Sequence, residues 1–73
     1  MFNNPQINSP AFQALKLECN KRHLSLFLAR TEKVYHDIGG NYAVYSRFAN
    51  MQLCNGESLQ DIADFLKIGG VYD

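Results

Sequence analysis

The sequence lacks any apolar run that approaches the ~20 residues needed to cross a bilayer. Its longest apolar stretch, Leu24 to Ala29, is interrupted by Ser25. The polar N-terminus, Met1 to Pro10, has no charged-then-apolar pattern of the kind that marks a secretory signal. These absences predict a chain that is neither inserted in a membrane nor secreted, and therefore a cytoplasmic location.

The chain also has few cysteines. Cys19 and Cys54 are too few for the disulfide framework that holds small secreted domains together. In the cytoplasm we expect both to be reduced thiols. In an oxidising compartment, a single disulfide bridge between them is the alternative. Their redox state therefore depends on the compartment.

The formal net charge is zero, but the charge is unevenly distributed. Residues 1–35 carry five basic against two acidic side chains, and residues 36–73 carry two basic against five acidic ones. The two halves either neutralise each other across the fold or present a basic face to an acidic partner. Because strong nucleic-acid binders show an overall basic excess, the first interpretation is favoured.

A chain of 73 residues forms one domain, and a hydrophobic content of 47% is enough for a core. Residues 1–9 are predicted to form a flexible tail. Ser9 and Pro10 form a typical helix start, because serine caps free N–H groups and proline at the first position loses no hydrogen bond. Nothing breaks a helix from there to Ile38, and Gly39-Gly40 supplies a stop.

A helix of that length is unusual in a globular domain, so we expect a kink or break at Asn20-Lys21 or at Arg30-Thr31. The segment Leu24–Leu28 partly alternates, which is also typical of a short strand. Because no second segment resembles a strand with which it would pair, the prediction keeps this segment helical.

A second helix is predicted from Tyr42 to Cys54, capped by Asn41 and ended by Asn55-Gly56, with Phe48 in the core. A third begins at Ser58 and ends at Gly69-Gly70. Residues 71–73 form a short tail. The predicted fold is all-α: a small domain of three to four helices over residues 10–70, in which a long N-terminal helix, kinked or straight, packs on a C-terminal helical hairpin.

As a helix, the first segment has two apolar stripes, and a chain this short has little with which to cover both. Tyrosines are common binding anchors at surfaces, since they offer much area at little entropic cost. We therefore predict that the second stripe and the nearby tyrosines bind a protein partner or another copy of the chain. The predicted partner-binding residues are Leu17, Leu24, Leu28, Tyr35, Tyr42 and Tyr45.

Nucleic acid is the less favoured partner. The best basic cluster is Lys21, Arg22, Arg30 and Lys33, which would contact a phosphate backbone. The segment from Ser58 to Gly70 resembles the first helix and turn of a helix-turn-helix unit, which implies a DNA-binding regulator. It departs from that unit in having no recognition helix after the turn and in carrying Asp61 and Asp64 where phosphates would lie.

The sequence offers few candidates for metal ligands or catalytic residues. Cys19, His23, His36 and Cys54 are residue types that zinc accepts, but their spacing matches no familiar zinc pattern. Nothing in the sequence orients His23 as a base for Cys19, and no nucleotide-binding or cofactor motif is present. We therefore expect no metal, no cofactor and no enzymatic activity.

A short chain of this kind resembles, as a class, the small accessory proteins with which phages inhibit host machinery, such as anti-CRISPR and other anti-defence proteins. The resemblance implies a module that binds and modulates, most simply by inhibition, a larger protein. The alternatives are a nucleic-acid-binding regulator with a degenerate helix-turn-helix and a small structural subunit.

Overall fold

The computed structural model describes residues 1–72 and contains both helices and a sheet. Its three strands form one sheet, in which each strand pairs with the next one along the chain, and both pairings are antiparallel. The all-α prediction is therefore wrong, and the chain is an α/β domain. In chain order the elements are α1 (Pro10–Lys21), β1 (Leu24–Leu28), α2 (Glu32–Ile38), β2 (Tyr42–Ser46), β3 (Met51–Gly56) and α3 (Leu59–Leu66).

The predicted long first helix is interrupted by a strand. Helix α1 begins as predicted, with the Ser9 side chain accepting a hydrogen bond from a helical N–H. It ends at Lys21, because His23 adopts a left-handed backbone conformation, with φ of 59°, that is uncommon outside glycine. The Thr31 side chain then caps α2. Both expected break sites thus lie at helix boundaries, and strand β1 occupies the space between them.

The partner of β1 is β2, which lies in the predicted second helix. Leu24 pairs with Ser46, and Leu28 pairs with Tyr42. A tight turn after Ser46 then returns the chain as β3, so the helix predicted from Tyr42 to Cys54 is wrong. Phe48, predicted for the core, lies in that turn with 83% of its surface exposed.

One face of the sheet is covered by α1 and α3. Their apolar sides meet the side chains that point to this face, which include Leu26 of β1 and Tyr42 and Val44 of β2. Helix α3 starts at Ser58 with the predicted capping box to Asp61. The main core consists of Phe12, Leu15, Cys19, Leu26, Tyr42, Val44, Leu59, Ile62, Ala63 and Leu66.

Within residues 1–72, α2 is the one helix on the other face of the sheet, where it lies at one end together with Phe2 of the N-terminal segment. Ile38 of α2 packs with Ala29 and Ala43 in a small second core. The side-chain amides of Gln52 and Asn55 donate hydrogen bonds to the Ile38 carbonyl oxygen, at 2.8 and 3.0 Å. These bonds satisfy a carbonyl that the end of the helix leaves free. The rest of this face has no covering element within residues 1–72.

The N-terminal segment, predicted to be a flexible tail, contacts the fully buried side chain of Asn41. The Asn41 Oδ1 atom accepts a hydrogen bond from the Asn3 N–H at 2.9 Å, and its Nδ2 atom donates to the carbonyl oxygens of Met1 and Glu57. Asn41, predicted to cap a helix, thus joins three segments. Asp73 of the predicted C-terminal tail lies outside the described residues.

None of the helices within residues 1–72 combines the length and apolar character needed to traverse a lipid bilayer.

Candidate functional site

Strand β1 forms one edge of the sheet, and no other strand within residues 1–72 lies beyond it. The Ala29 N–H donates to the Asn41 carbonyl, and the Arg47 N–H donates to the His23 carbonyl. In an antiparallel ladder, paired and unpaired residues alternate. Leu24, Leu26 and Leu28 therefore direct their N–H and C=O groups away from β2, toward the open edge.

This edge carries none of the usual devices that prevent strand pairing. Natural edge strands are blunted by charges, prolines, bulges or short length. The sequence of β1, Leu-Ser-Leu-Phe-Leu, has no charge and no proline, and its five-residue pairing with β2 is regular. The opposite edge, β3, contains a bulge at which Leu53 has no partner in β2. The β1 edge is thus the better template for another strand.

A groove lies on each side of β1. The inner groove, of about 290 Å³, lies between β1 and α1 and is lined by Phe12, Lys16 and Leu26 among others. The outer groove, of about 530 Å³, lies on the open face of the sheet beside Val34 and Tyr45. We call the strand and these two grooves the β1 edge surface.

The outer groove is apolar at its centre. Phe27 is 52% exposed, and its ring meets the ring of Tyr45 edge-on, with centroids 5.1 Å apart. The Tyr45 hydroxyl donates to the Gln52 side chain at 3.1 Å, which orients the ring across the sheet. Val34 and Ile38 extend the same lining toward α2. The outer groove therefore offers an apolar binding surface in which the Tyr45 ring is held in place.

The inner groove is basic. Lys16 of α1, Arg30 just after β1 and Arg47 just after β2 all line it. The Arg47 guanidinium donates to Ser25 Oγ at 3.1 Å and to Asn20 Oδ1, which holds it at the start of β1. The ion pairs within residues 1–72 involve other groups, so none of these three cations has a carboxylate partner.

The structure separates the predicted partner-binding residues. Leu28 and Tyr45 line the outer groove, and Leu24 lies on β1 with its side chain packed against the main core. Leu17 is exposed on α1 but lines neither groove, and Tyr35 lies near the N-terminus. Tyr42 is only 8% exposed and belongs to the main core. The helical stripe that grouped Leu17, Leu24, Leu28 and Tyr35 does not exist, because Leu24–Leu28 is a strand.

The predicted nucleic-acid contacts are also dispersed. Arg22 pairs with Glu18 and donates to the Leu66 carbonyl, which ties it to the end of α3. Lys33 pairs with Asp37 on the surface of α2. Of that cluster of four, which also includes the exposed Lys21, only Arg30 lines a groove.

Lys16, Phe27 and Arg47 are among the residues of the β1 edge surface that sequence reasoning missed. The available signal was the uncharged alternation of Leu24–Leu28, in which Phe27 faces opposite to the leucines. Lys16 and Arg47 join it only through the packing of α1 and the pairing of β2.

The cysteine and histidine candidates do not converge on a metal site. Within residues 1–72 no three His, Cys, Asp or Glu side chains group closely enough to hold an ion. Burial raises the pKa of the Cys19 thiol to about 11, so the thiol is protonated at neutral pH. The His23 ring packs against Phe48, with centroids 5.2 Å apart.

A hydrogen-bonded cluster outside both grooves holds the N-terminus. The Tyr35 hydroxyl donates to the Glu57 carboxylate, which also accepts from the Met1 ammonium. The hydrogen bond from Tyr35 is the main reason that the pKa of Glu57 is lowered, and the same bond raises the pKa of Tyr35. This cluster anchors a terminus and has no adjoining cavity among those described above.

No protein-family model matches this chain, and neither curated proteins nor solved structures yield a significant match. The fold and the β1 edge surface therefore define it only as a small α/β domain with an open edge strand.

Proposed function

We propose that this chain is a protein-binding module that takes an extended segment of a partner as a fourth strand beside β1. The observation that carries the proposal is the unblunted edge of β1 with a groove on each side. Side chains of an added strand point alternately to the two faces of the sheet, so each groove would receive every second residue. Main-chain hydrogen bonds to Leu24, Leu26 and Leu28 would fix the register.

Such binding would modulate a larger protein by sequestering a segment that it uses elsewhere, and inhibition is the simplest result. This role agrees with the class resemblance to small phage accessory proteins. The proposal includes a cytoplasmic location, with Cys19 and Cys54 as thiols, and no enzymatic activity. The geometry of β1 supports this proposal. The prediction of a first helix with two apolar stripes no longer does, because part of that segment is a strand.

Hydrogen exchange tests the proposal on the free and the bound chain. In the free chain, the amides of Leu24, Leu26 and Leu28 should exchange faster than those of Ser25 and Phe27, which pair with β2. Peptides selected from a random display library should then protect those three leucine amides, with little change in the amides of β3.

Two matched variants locate the binding site. Phe27→Lys places a charge in the outer groove, whereas Phe48→Lys makes the same change in the exposed turn after β2, outside both grooves. We expect the selected peptides to lose binding to the first variant and keep it to the second. Equal binding to both, or binding without protection of the β1 amides, would refute strand addition.

A further inference from the structure

The charges around β1 restrict what can be added to it. Lys16, Arg30 and Arg47 come from three different parts of the chain and converge on the inner groove. No aspartate or glutamate lines either groove. The chain has no net charge, yet three cations without a carboxylate partner in residues 1–72 lie beside its open strand.

Four of the six acidic side chains within residues 1–72 pair with a cation or cap a helix elsewhere, and the remaining two, Glu32 and Asp64, line neither groove. Glu18 and Asp37 pair with cations of their own helices, and Asp61 caps α3. Glu57 binds the N-terminal ammonium. Within residues 1–72 no carboxylate pairs with the cations of the inner groove, so they are free to bind acidic groups of another molecule.

A second copy of β1 does not supply that charge. Pairing two β1 edges about a two-fold axis would place the cations of both copies along one seam, and like charges facing each other destabilise strand pairs. An added strand that carries carboxylates meets the opposite situation, since its acids would lie beside Lys16, Arg30 and Arg47.

Nucleic acid also fits less well than a peptide. Phosphates would suit the three cations, but the outward carbonyl oxygens of Leu24, Leu26 and Leu28 require hydrogen-bond donors. A peptide backbone supplies donors and acceptors in the alternation that the edge offers, whereas a phosphate backbone supplies acceptors alone.

The two grooves differ in polarity, and this gives the pattern of the added strand. Lys16 and Arg30 line the inner groove alone, Val34 and Tyr45 line the outer groove alone, and Phe27 and Arg47 line both. The inner groove is therefore the more basic of the two. We infer that the partner segment is acidic and extended, with carboxylates alternating with apolar side chains: the carboxylates enter the inner groove and the apolar side chains enter the outer one. This inference rests on the proposed strand addition.

Synthetic peptides test it directly. Three peptide probes carry valine at alternate positions. The positions between the valines are all glutamate in the first peptide, all lysine in the second and all threonine in the third. We expect the glutamate peptide to bind about tenfold more tightly than the threonine peptide, the combined effect of three half-exposed ion pairs. Its affinity should fall as sodium chloride is added, because salt screens exposed charges.

Two double variants, each of which removes two positive charges, test whether the inner groove causes the preference for the glutamate peptide. Lys16→Gln/Arg30→Gln removes two cations of the inner groove, and Lys21→Gln/Lys33→Gln removes two cations outside it. The first should reduce the preference for glutamate to the part that Arg47 supplies, while the threonine peptide still binds. The second should leave the preference unchanged.

The outcomes separate the two proposals. If all three peptides protect the leucine amides of β1 and bind equally, the acidic specificity is wrong and strand addition stands. If no peptide protects those amides, strand addition is wrong and the inference falls with it. Tight binding of single-stranded oligothymidylate in place of the glutamate peptide, or dimerisation through β1 in sedimentation, would overturn the inference in favour of nucleic acid or a second copy.

Discussion

Asn41 and Tyr35 show how single polar side chains hold the N-terminal segment to the domain. Asn41 is fully buried, yet each polar atom of its side chain has a partner, so its burial carries no unsatisfied group. Tyr35 adds a hydrogen bond to the Glu57 carboxylate at the surface, where the Met1 ammonium also lies. Together they place the N-terminus against the start of α3.

The Tyr35–Glu57 hydrogen bond predicts a pH dependence. Because the folded pKa of Glu57 lies below its ordinary value of 4.5, its stabilising contribution is present above that pH and is lost as the pH falls through the folded pKa. Tyr35→Phe should raise the pKa of Glu57, measured by NMR titration of its carboxyl carbon. The stability difference between wild type and Tyr35→Phe should shrink in acid.

Tyr72→Phe is the matched control for that titration. It also removes a phenol hydroxyl, but one that makes no hydrogen bond within residues 1–72, so the pKa of Glu57 should not move. A Glu57 pKa that is the same in wild type and Tyr35→Phe would contradict the contact.

At the scale of elements, the close approach of two backbone segments explains one glycine of the Gly39-Gly40 pair. Gly39, with φ of 83°, ends α2 as the sequence predicts. Gly40 has a different role, because a Cβ atom there would lie 2.7 Å from the carbonyl oxygen of Gly56, at the end of β3. The turn between α2 and β2 therefore requires a residue without a side chain.

Gly40→Ala should consequently destabilise the domain by about 1–3 kcal/mol, the usual cost of overpacking against atoms that cannot move away. Urea unfolding followed by circular dichroism measures the change. Gly69→Ala is the matched control, since no atom lies within 4 Å of the added Cβ. It should change stability by less than about 0.5 kcal/mol. Equal effects of the two substitutions would show that the approach of Gly40 to Gly56 is not close.

At the scale of the molecule, one core joins the sheet to α1 and α3. A 73-residue domain has a total stability of roughly 4–11 kcal/mol, so a single core side chain is a large fraction of it. Ile62 of α3 is fully buried in this core, whereas Leu17 of α1 is 62% exposed. The two residues are both large and aliphatic, and only their burial differs.

Ile62→Ala should therefore cost about 2–5 kcal/mol, and Leu17→Ala less than about 1 kcal/mol. Chemical denaturation followed by helix ellipticity and by tyrosine fluorescence gives both values. The two signals should coincide in a single transition, because α3 and the tyrosines of the sheet share one core. Separate transitions would show that the helices and the sheet unfold independently.

Tertiary packing explains why only part of the β1 edge surface could be predicted from the sequence. Three of its residues were predicted as binding residues on other grounds: Leu28 as part of a helical stripe, Tyr45 as a tyrosine near that stripe, and Arg30 as part of a basic cluster. Lys16 and Arg47 are far from β1 in the sequence and reach the inner groove only because α1 packs on the sheet and β2 pairs with β1. No local pattern encodes that convergence.

The sequence by itself determined the helix boundaries that have local chemical signals: Ser9 and Pro10 at the start of α1, the break at Arg30-Thr31 that precedes α2, Gly39 at the end of α2 and the Ser58–Asp61 capping box of α3. These hydrogen bonds form between residues a few positions apart, so a short window of sequence contains them. Only the tertiary structure decided that Leu24–Leu28 and Tyr42–Ser46 are strands. Both segments carry apolar residues at spacings that suit a helix or a strand, and a strand has no hydrogen-bonding partner within itself. Pairing with each other, and burial under α1 and α3, selects the extended form and leaves β1 at the open edge.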